Sequence, residues 1–64
     1  MNPNYEWYLN ANLEKFAGNW VVIAHQKVVD SGRNVKEMFA KVKEEYPDET
    51  PIVAKVPKPG LMVL

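Results

Sequence analysis

The most telling hydrophobic pattern lies between Gly18 and Gly32, where Trp20-Val21-Val22-Ile23-Ala24 is followed, after His25-Gln26, by Lys27-Val28-Val29-Asp30. Branched and aromatic residues on either side of a short polar pair predict a β-hairpin, with strands over Asn19–Ala24 and Lys27–Asp30. Taking His25 and Gln26 as the central turn residues sets Ile23 opposite Val28 and Val22 opposite Val29. Neither turn residue is Gly, Asn or Asp, the types that suit a type I′ turn, so a longer loop stays open as the alternative. The first strand is apolar at both odd and even positions. Successive strand side chains point to opposite faces, so this strand needs cover on both.

Upstream, Tyr5, Tyr8, Leu9, Leu13 and Phe16 recur at spacings of three and four, which is helical periodicity. Asn2 or Asn4 is placed to cap that helix, Pro3 suits its first position, and Gly18 suits the left-handed stop. Asn10 and Asn12 fit a helix interior poorly because their side chains compete for the backbone. A break near Asn10, with Asn12 recapping a short second piece, is therefore the alternative. Downstream, Ser31-Gly32-Arg33 reads as a loop, and Asn34 with Glu37 resembles a capping box. The helix that follows carries Val35, Met38, Phe39, Val42 and Tyr46 on one stripe, with Glu37, Lys41 and Glu45 spaced four apart on the wet side. Pro47 ends it, Pro47 to Pro51 makes a turn, and Ile52–Val56 reads as a strand closed by Pro57.

The order is α-β-β-α-β, with an optional terminal β strand from the apolar residues Leu61, Met62, Val63 and Leu64. That tail is expected to add a short edge strand or to dock in a groove, in this chain or a partner. A right-handed crossover through the Asn34 helix brings the third strand in parallel to the second. Skipping over the first strand gives order 2-1-3 with antiparallel neighbours and the two-faced strand in the centre. The prediction is one α+β domain over residues 1–64, with a mainly antiparallel three- to four-stranded sheet packed with two helices.

Length sharpens the problem, because a domain of 64 residues buries only about 60% of the surface its unfolded chain exposes. Small cores usually need disulfides, a metal, oligomerisation or very regular packing. Cysteine is absent and His25 is the single histidine, which leaves regular packing and self-association. Eight basic and eight acidic residues give zero net charge, which argues against the broad positive field that phosphate backbones attract. The longest apolar run, Trp20 to Ala24, is far short of the roughly 20 residues of a membrane span. Met1 to Glu6 lacks the basic and apolar regions of a signal peptide, so the expected location is cytoplasmic.

The stretches Asn12 to Val21, Val28 to Gly32 and Val53 to Pro57, with Gly60-Leu61 after them, together resemble a family of short prokaryotic proteins of unknown function. The most specific pieces are Gly18-Asn19-Trp20-Val21 and Val56-Pro57-Lys58-Pro59-Gly60. The resemblance implies no activity. Members of that family usually place Asp-Gly at the hairpin tip, where this chain has His25-Gln26.

Candidate chemistry is thin. His25 with Asp30 has the residue types of a metal or general-base site, but one imidazole at a hairpin tip is better read as solvated. Ser31 lacks a nucleophile elbow and a placed base. Ser31 to Asn34 offers one glycine before a helix, a cap rather than a phosphate loop. Glu44, Glu45, Asp48 and Glu49 gather near a helix end without the spacing of a calcium loop. No catalytic, cofactor-binding or metal residue is assigned, and no cofactor is expected. Lys27, Arg33, Lys36, Lys43, Lys55 and Lys58, with Trp7 or Tyr8 for stacking, carry the second reading of a small nucleic-acid-binding regulator. Lysine outnumbers arginine seven to one, which suits base readout poorly.

The leading expectation is a noncatalytic interaction module that self-associates as a two-fold dimer, or binds an unknown protein partner. On an uninterrupted first helix Trp7 lies nearly opposite the apolar stripe, which marks it for an interface. If the helix breaks at Asn10, Trp7 joins the core instead. Leu61, Met62, Val63 and Leu64 complete the candidate interface.

Overall fold

In the computed structural model, which describes residues 2–58, the N-terminal segment breaks where its asparagines fall. Asn2 caps helix α1 (Pro3–Asn10) by accepting the Asn4 N–H at 2.9 Å. At the other end Asn10 turns its side-chain amide back onto the Glu6 carbonyl at 3.0 Å. Asn12 then accepts the Glu14 N–H at 3.1 Å, an Asx turn that starts a single 3-10 turn, Glu14–Phe16. The long helix of the uninterrupted reading is therefore corrected to two short pieces, because each asparagine offers the backbone a local partner that competes with the helix.

That break re-aims the side chains. Tyr5 and Leu9, placed on the inward stripe by a continuous helix, are 47% and 61% exposed. Trp7 turns inward instead, and with Tyr8, Leu13 and Phe16, which the stripe placed there, it packs on Val21, Ile23 and Val56. Gly18 follows with φ +84°, and a Cβ there would stand 2.9 Å from the Lys58 side chain. The flexible end of Lys58 could move aside, so it is the positive φ that favours glycine here.

Strand β1 (Trp20–Ala24) forms the centre of a three-stranded sheet ordered β2-β1-β3, with β2 at Lys27–Gly32 and β3 at Ile52–Lys55. Both neighbours run antiparallel to it, as the crossover argument predicts. His25 and Gln26 have φ of +53° and +57°, so the tip is a two-residue turn of the left-handed I′ type despite its side chains. Ile23 pairs with Val28 as expected. Val22, however, pairs with Asp30 and not Val29, because the register shifts after Ile23. The bulge inserts Val29 as an extra residue, so Val28 reaches the core on one side of the sheet and Val29 the core on the other. The strand also continues through Ser31 and Gly32, which the sequence reading assigned to a loop.

Helix α2 (Val35–Glu45) starts with a variant of the capping box: the Asn34 side-chain oxygen Oδ1 accepts the Glu37 N–H at 3.2 Å, and the Asn34 side-chain amide Nδ2 donates to the Glu37 carboxylate at 2.8 Å. Met38 and Val42 are buried on Val22 and Ala24, with Trp20, Val29, Tyr46 and Val53 around them. Phe39, expected on the same stripe, stays 36% exposed at its margin. Val21, Val22, Ile23 and Ala24 have no exposed surface at all. The two-faced strand is thus covered within one chain, by α2 on one side and by α1 with the 3-10 turn on the other. The fourth strand and the docked tail expected at Leu61–Leu64 fall outside the described residues.

Left-handed backbone costs an L-residue about 1 kcal/mol. Gln26→Gly should therefore stabilise the domain by about that amount, read as a higher urea midpoint with unchanged slope.

Candidate functional site

Two regions of the surface have a geometry worth reading chemically. The first is a polar knot under the hairpin tip. Asn4 sits on the inner side of α1 and is 3% exposed. Its amide nitrogen donates to the Glu49 carboxylate at 3.2 Å and to the Thr50 carbonyl at 3.1 Å, while its oxygen accepts the Gln26 N–H at 2.8 Å. The same Glu49 oxygen accepts the His25 N–H at 2.7 Å. Both amides of the strained turn are thereby satisfied by side chains from distant elements. Lys43 Nζ donates to the Glu49 carbonyl at 3.2 Å, and the His25 ring meets Tyr46 edge-on at 4.8 Å.

The His25 N–H, and after it the Asn4 amide, hold the Glu49 carboxyl below the usual glutamate range, because both donors favour the charged form. This chemistry is structural. His25 touches an aromatic ring and offers its backbone, not its imidazole, to the carboxylate. Among the described residues no group of three or more His, Asp or Glu side chains is arranged to hold a metal. No buried side-chain nitrogen or oxygen among them lacks a partner.

The other sequence candidates are dispersed. Ser31 is exposed, and its N–H is taken by Asp30. The start of α2 is occupied by the Glu37 carboxylate, an acid where an anion would have to bind. Of the acidic group, Glu49 is committed to the knot. Among the basic residues, Lys55 Nζ stands 6.0 Å over the Trp20 ring and Lys43 caps the Glu49 carbonyl. Trp7 belongs to the cluster on β1, so the geometric ground for an interface role, a helix running unbroken to Phe16, is gone. Leu61 to Leu64 lie outside the described residues.

The second region is the open margin of β3. Beyond its C-terminal end lies an apolar groove of about 300 Å³, lined by Tyr8, Leu9, Ala11, Leu13, Val56 and Pro57. It continues into a space of about 430 Å³ that adds Asn12, Glu14, Ala17 and Lys58. Both NH and CO of Val56 bond inward, its N–H to the Asn19 carbonyl at 2.9 Å and its carbonyl to the Gly18 N–H at 2.8 Å. Antiparallel ladders alternate, so Ile52 and Ala54 also bond inward. Val53 and Lys55 turn their NH and CO groups out, flanked by Pro51 and Pro57.

The two sheet edges differ in how they are guarded. The β2 edge carries a bulge at Val29 and the charged residues Lys27 and Asp30, devices that discourage strand addition. On β3 the single charge, Lys55, is drawn back over Trp20. The sequence reading missed Asn4, because a polar residue near a helix start reads as a cap. The signal available was a tight turn built from His and Gln, whose amides need partners from elsewhere.

Asn4→Ala should cost about 1 to 2 kcal/mol, since it removes three part-buried hydrogen bonds to Glu49, Thr50 and Gln26, and thermal melting checks this. Because the Glu49 pKa is depressed in the folded state, its contribution is full above the ordinary glutamate range and fades as pH falls through its lowered value. Glu49→Gln should flatten the acid limb of a stability-against-pH curve; an unchanged limb contradicts the assignment.

No curated protein and no solved structure matches the chain at a significant level. A family of unknown function, DUF5678, matches residues 12–59, which include the whole hairpin, α2 and β3, and leave out α1. The chain is a member of that family of unknown function.

Proposed function

We propose that this domain is a noncatalytic interaction module that self-associates as a two-fold dimer through the free edge of β3. The observation that carries the reading is the state of that edge. Val53 and Lys55 present backbone donors and acceptors that have no partner among the described residues, an apolar groove lies beyond the end of the strand at Val56 and Pro57, and Lys55 leans over Trp20. An edge strand in this condition is a template for another strand.

The covered faces of the sheet narrow the routes. A dimer through a sheet face would need β1 to lack cover on one side, and its apolar residues are already enclosed. A three-stranded sheet that gains a second set of strands becomes a continuous six-stranded one, which suits a chain too small for a large core of its own. A cysteine-free chain suits a reducing compartment, and we place its work in the cytoplasm.

Sedimentation of the full chain across the micromolar range tests this, with a dimer expected. Lys55→Pro removes an outward N–H without touching the ladder to β1, so it should yield a folded monomer whose melting point no longer depends on concentration. A wild-type chain that stays a well-folded monomer throughout the range contradicts the proposal.

A further inference from the structure

We infer that the partner on this edge is a second copy of the chain, paired in one register: Ala54 on the two-fold axis, with Val53 of each copy opposite Lys55 of the other. The inference rests on the reading of β3 as the association edge, and it adds the alignment and the contacts.

Two identical strands related by a two-fold axis must run antiparallel, and a residue then pairs with a partner fixed by where the axis falls. Three axes bring the outward groups of Val53 and Lys55 together. With the axis at Lys55, the two lysines stand directly opposite each other, a like-charge pair that destabilises a sheet. The same axis sets Val53 against Pro57, which has no N–H to give. With the axis at Val53, Lys55 falls opposite Pro51, and its carbonyl meets a second ring without a donor.

The axis at Ala54 has neither fault. Val53 and Lys55 exchange both of their hydrogen bonds at each of two symmetry-related pairs, so every outward N–H meets a carbonyl. Pro51 then faces Pro57, and the two positions without donors are set against each other at the ends of the ladder. The prolines end the pairing where the described strand ends, which limits this edge to one short partner.

Side chains agree with that register. Ala54, Ile52 and Val56 share the α1 side of β3 and pack on the cluster around Val21 and Ile23. At the axis, where directly opposed residues without mutual hydrogen bonds approach most closely, each copy presents a methyl group. Ile52 of one copy falls beside Val56 of the other, and so lies against the groove that Val56 and Pro57 line. On the other side of the sheet, Lys55 held over Trp20 leaves room for Val53 of the second copy.

The natural chain has no cysteine, so single cysteines report the register directly. Ala54→Cys should oxidise to a disulfide-linked dimer at least about tenfold faster than Val53→Cys, because only residues at the axis come within disulfide range of their own copies. An equimolar mixture of Val53→Cys and Lys55→Cys should give the mixed dimer in preference to either homodimer. This decides the matter should Ala54→Cys fail to fold. A chain that sediments as a dimer while Ala54→Cys links no faster than Val53→Cys overturns the register and leaves self-association standing. A monomeric chain removes both. Linking of Ala54→Cys that appears only after residues 59–64 are deleted overturns the inference by putting the tail, not a second copy, on this edge.

Discussion

The structure depends on one buried side chain. Asn4 uses its two amide hydrogens on Glu49 and Thr50 and its oxygen on the Gln26 N–H, and so ties together three segments far apart in sequence. Helix α1 has eight residues, too few to be stable in water alone, and two of its large apolar side chains face solvent. Packing of Trp7 and Tyr8 supplies its adhesion, and Asn4 supplies its alignment. Without that alignment the face of β1 carrying Val21 and Ile23 would lose its cover.

The same contact explains how the hairpin tip tolerates its residues. Left-handed backbone at two consecutive non-glycine positions is costly, and a turn closed only by local interactions would favour Asn-Gly. Here the amides of His25 and Gln26 each find an acceptor on another element. The charge-assisted bond to Glu49 and the part-buried bond to Asn4 offset the strain. The tip and the N-terminal helix therefore support each other: α1 positions the acceptor that the turn needs, and the turn gives Asn4 the donor that justifies burying it. Glu49, accepting from both His25 and Asn4, makes the arrangement sensitive to acid.

Much of this was legible in the residues. The central strand, α2 with its Asn34 cap and the 2-1-3 order follow from periodicity, capping chemistry and crossover handedness, each of which acts over a few residues or on whole elements. The end of α1 was legible only as one of two alternatives, because Tyr5, Leu9 and Leu13 keep helical spacing while Asn10 and Asn12 oppose it. The bulge at Val29 was not legible, since Val28-Val29 reads equally well in either register. Asn4 was hidden for a different reason: its partners stand 22 and more residues away, and no local pattern encodes such pairing. The outward-pointing groups of β3 emerge only when the ladder fixes which amides point inward.

With both faces of β1 covered by the chain's own elements, the described residues leave backbone groups unmet along two strand edges, and that of β3 is the less guarded. Concentration-dependent amide hydrogen exchange reads these groups one by one. The amides of Val21 to Ala24 should stay protected at every concentration, while those of Val53 and Lys55 should exchange rapidly in dilute solution and gain protection as concentration rises. Protection of Val53 and Lys55 that ignores concentration, or protection of β1 that requires it, would contradict the account.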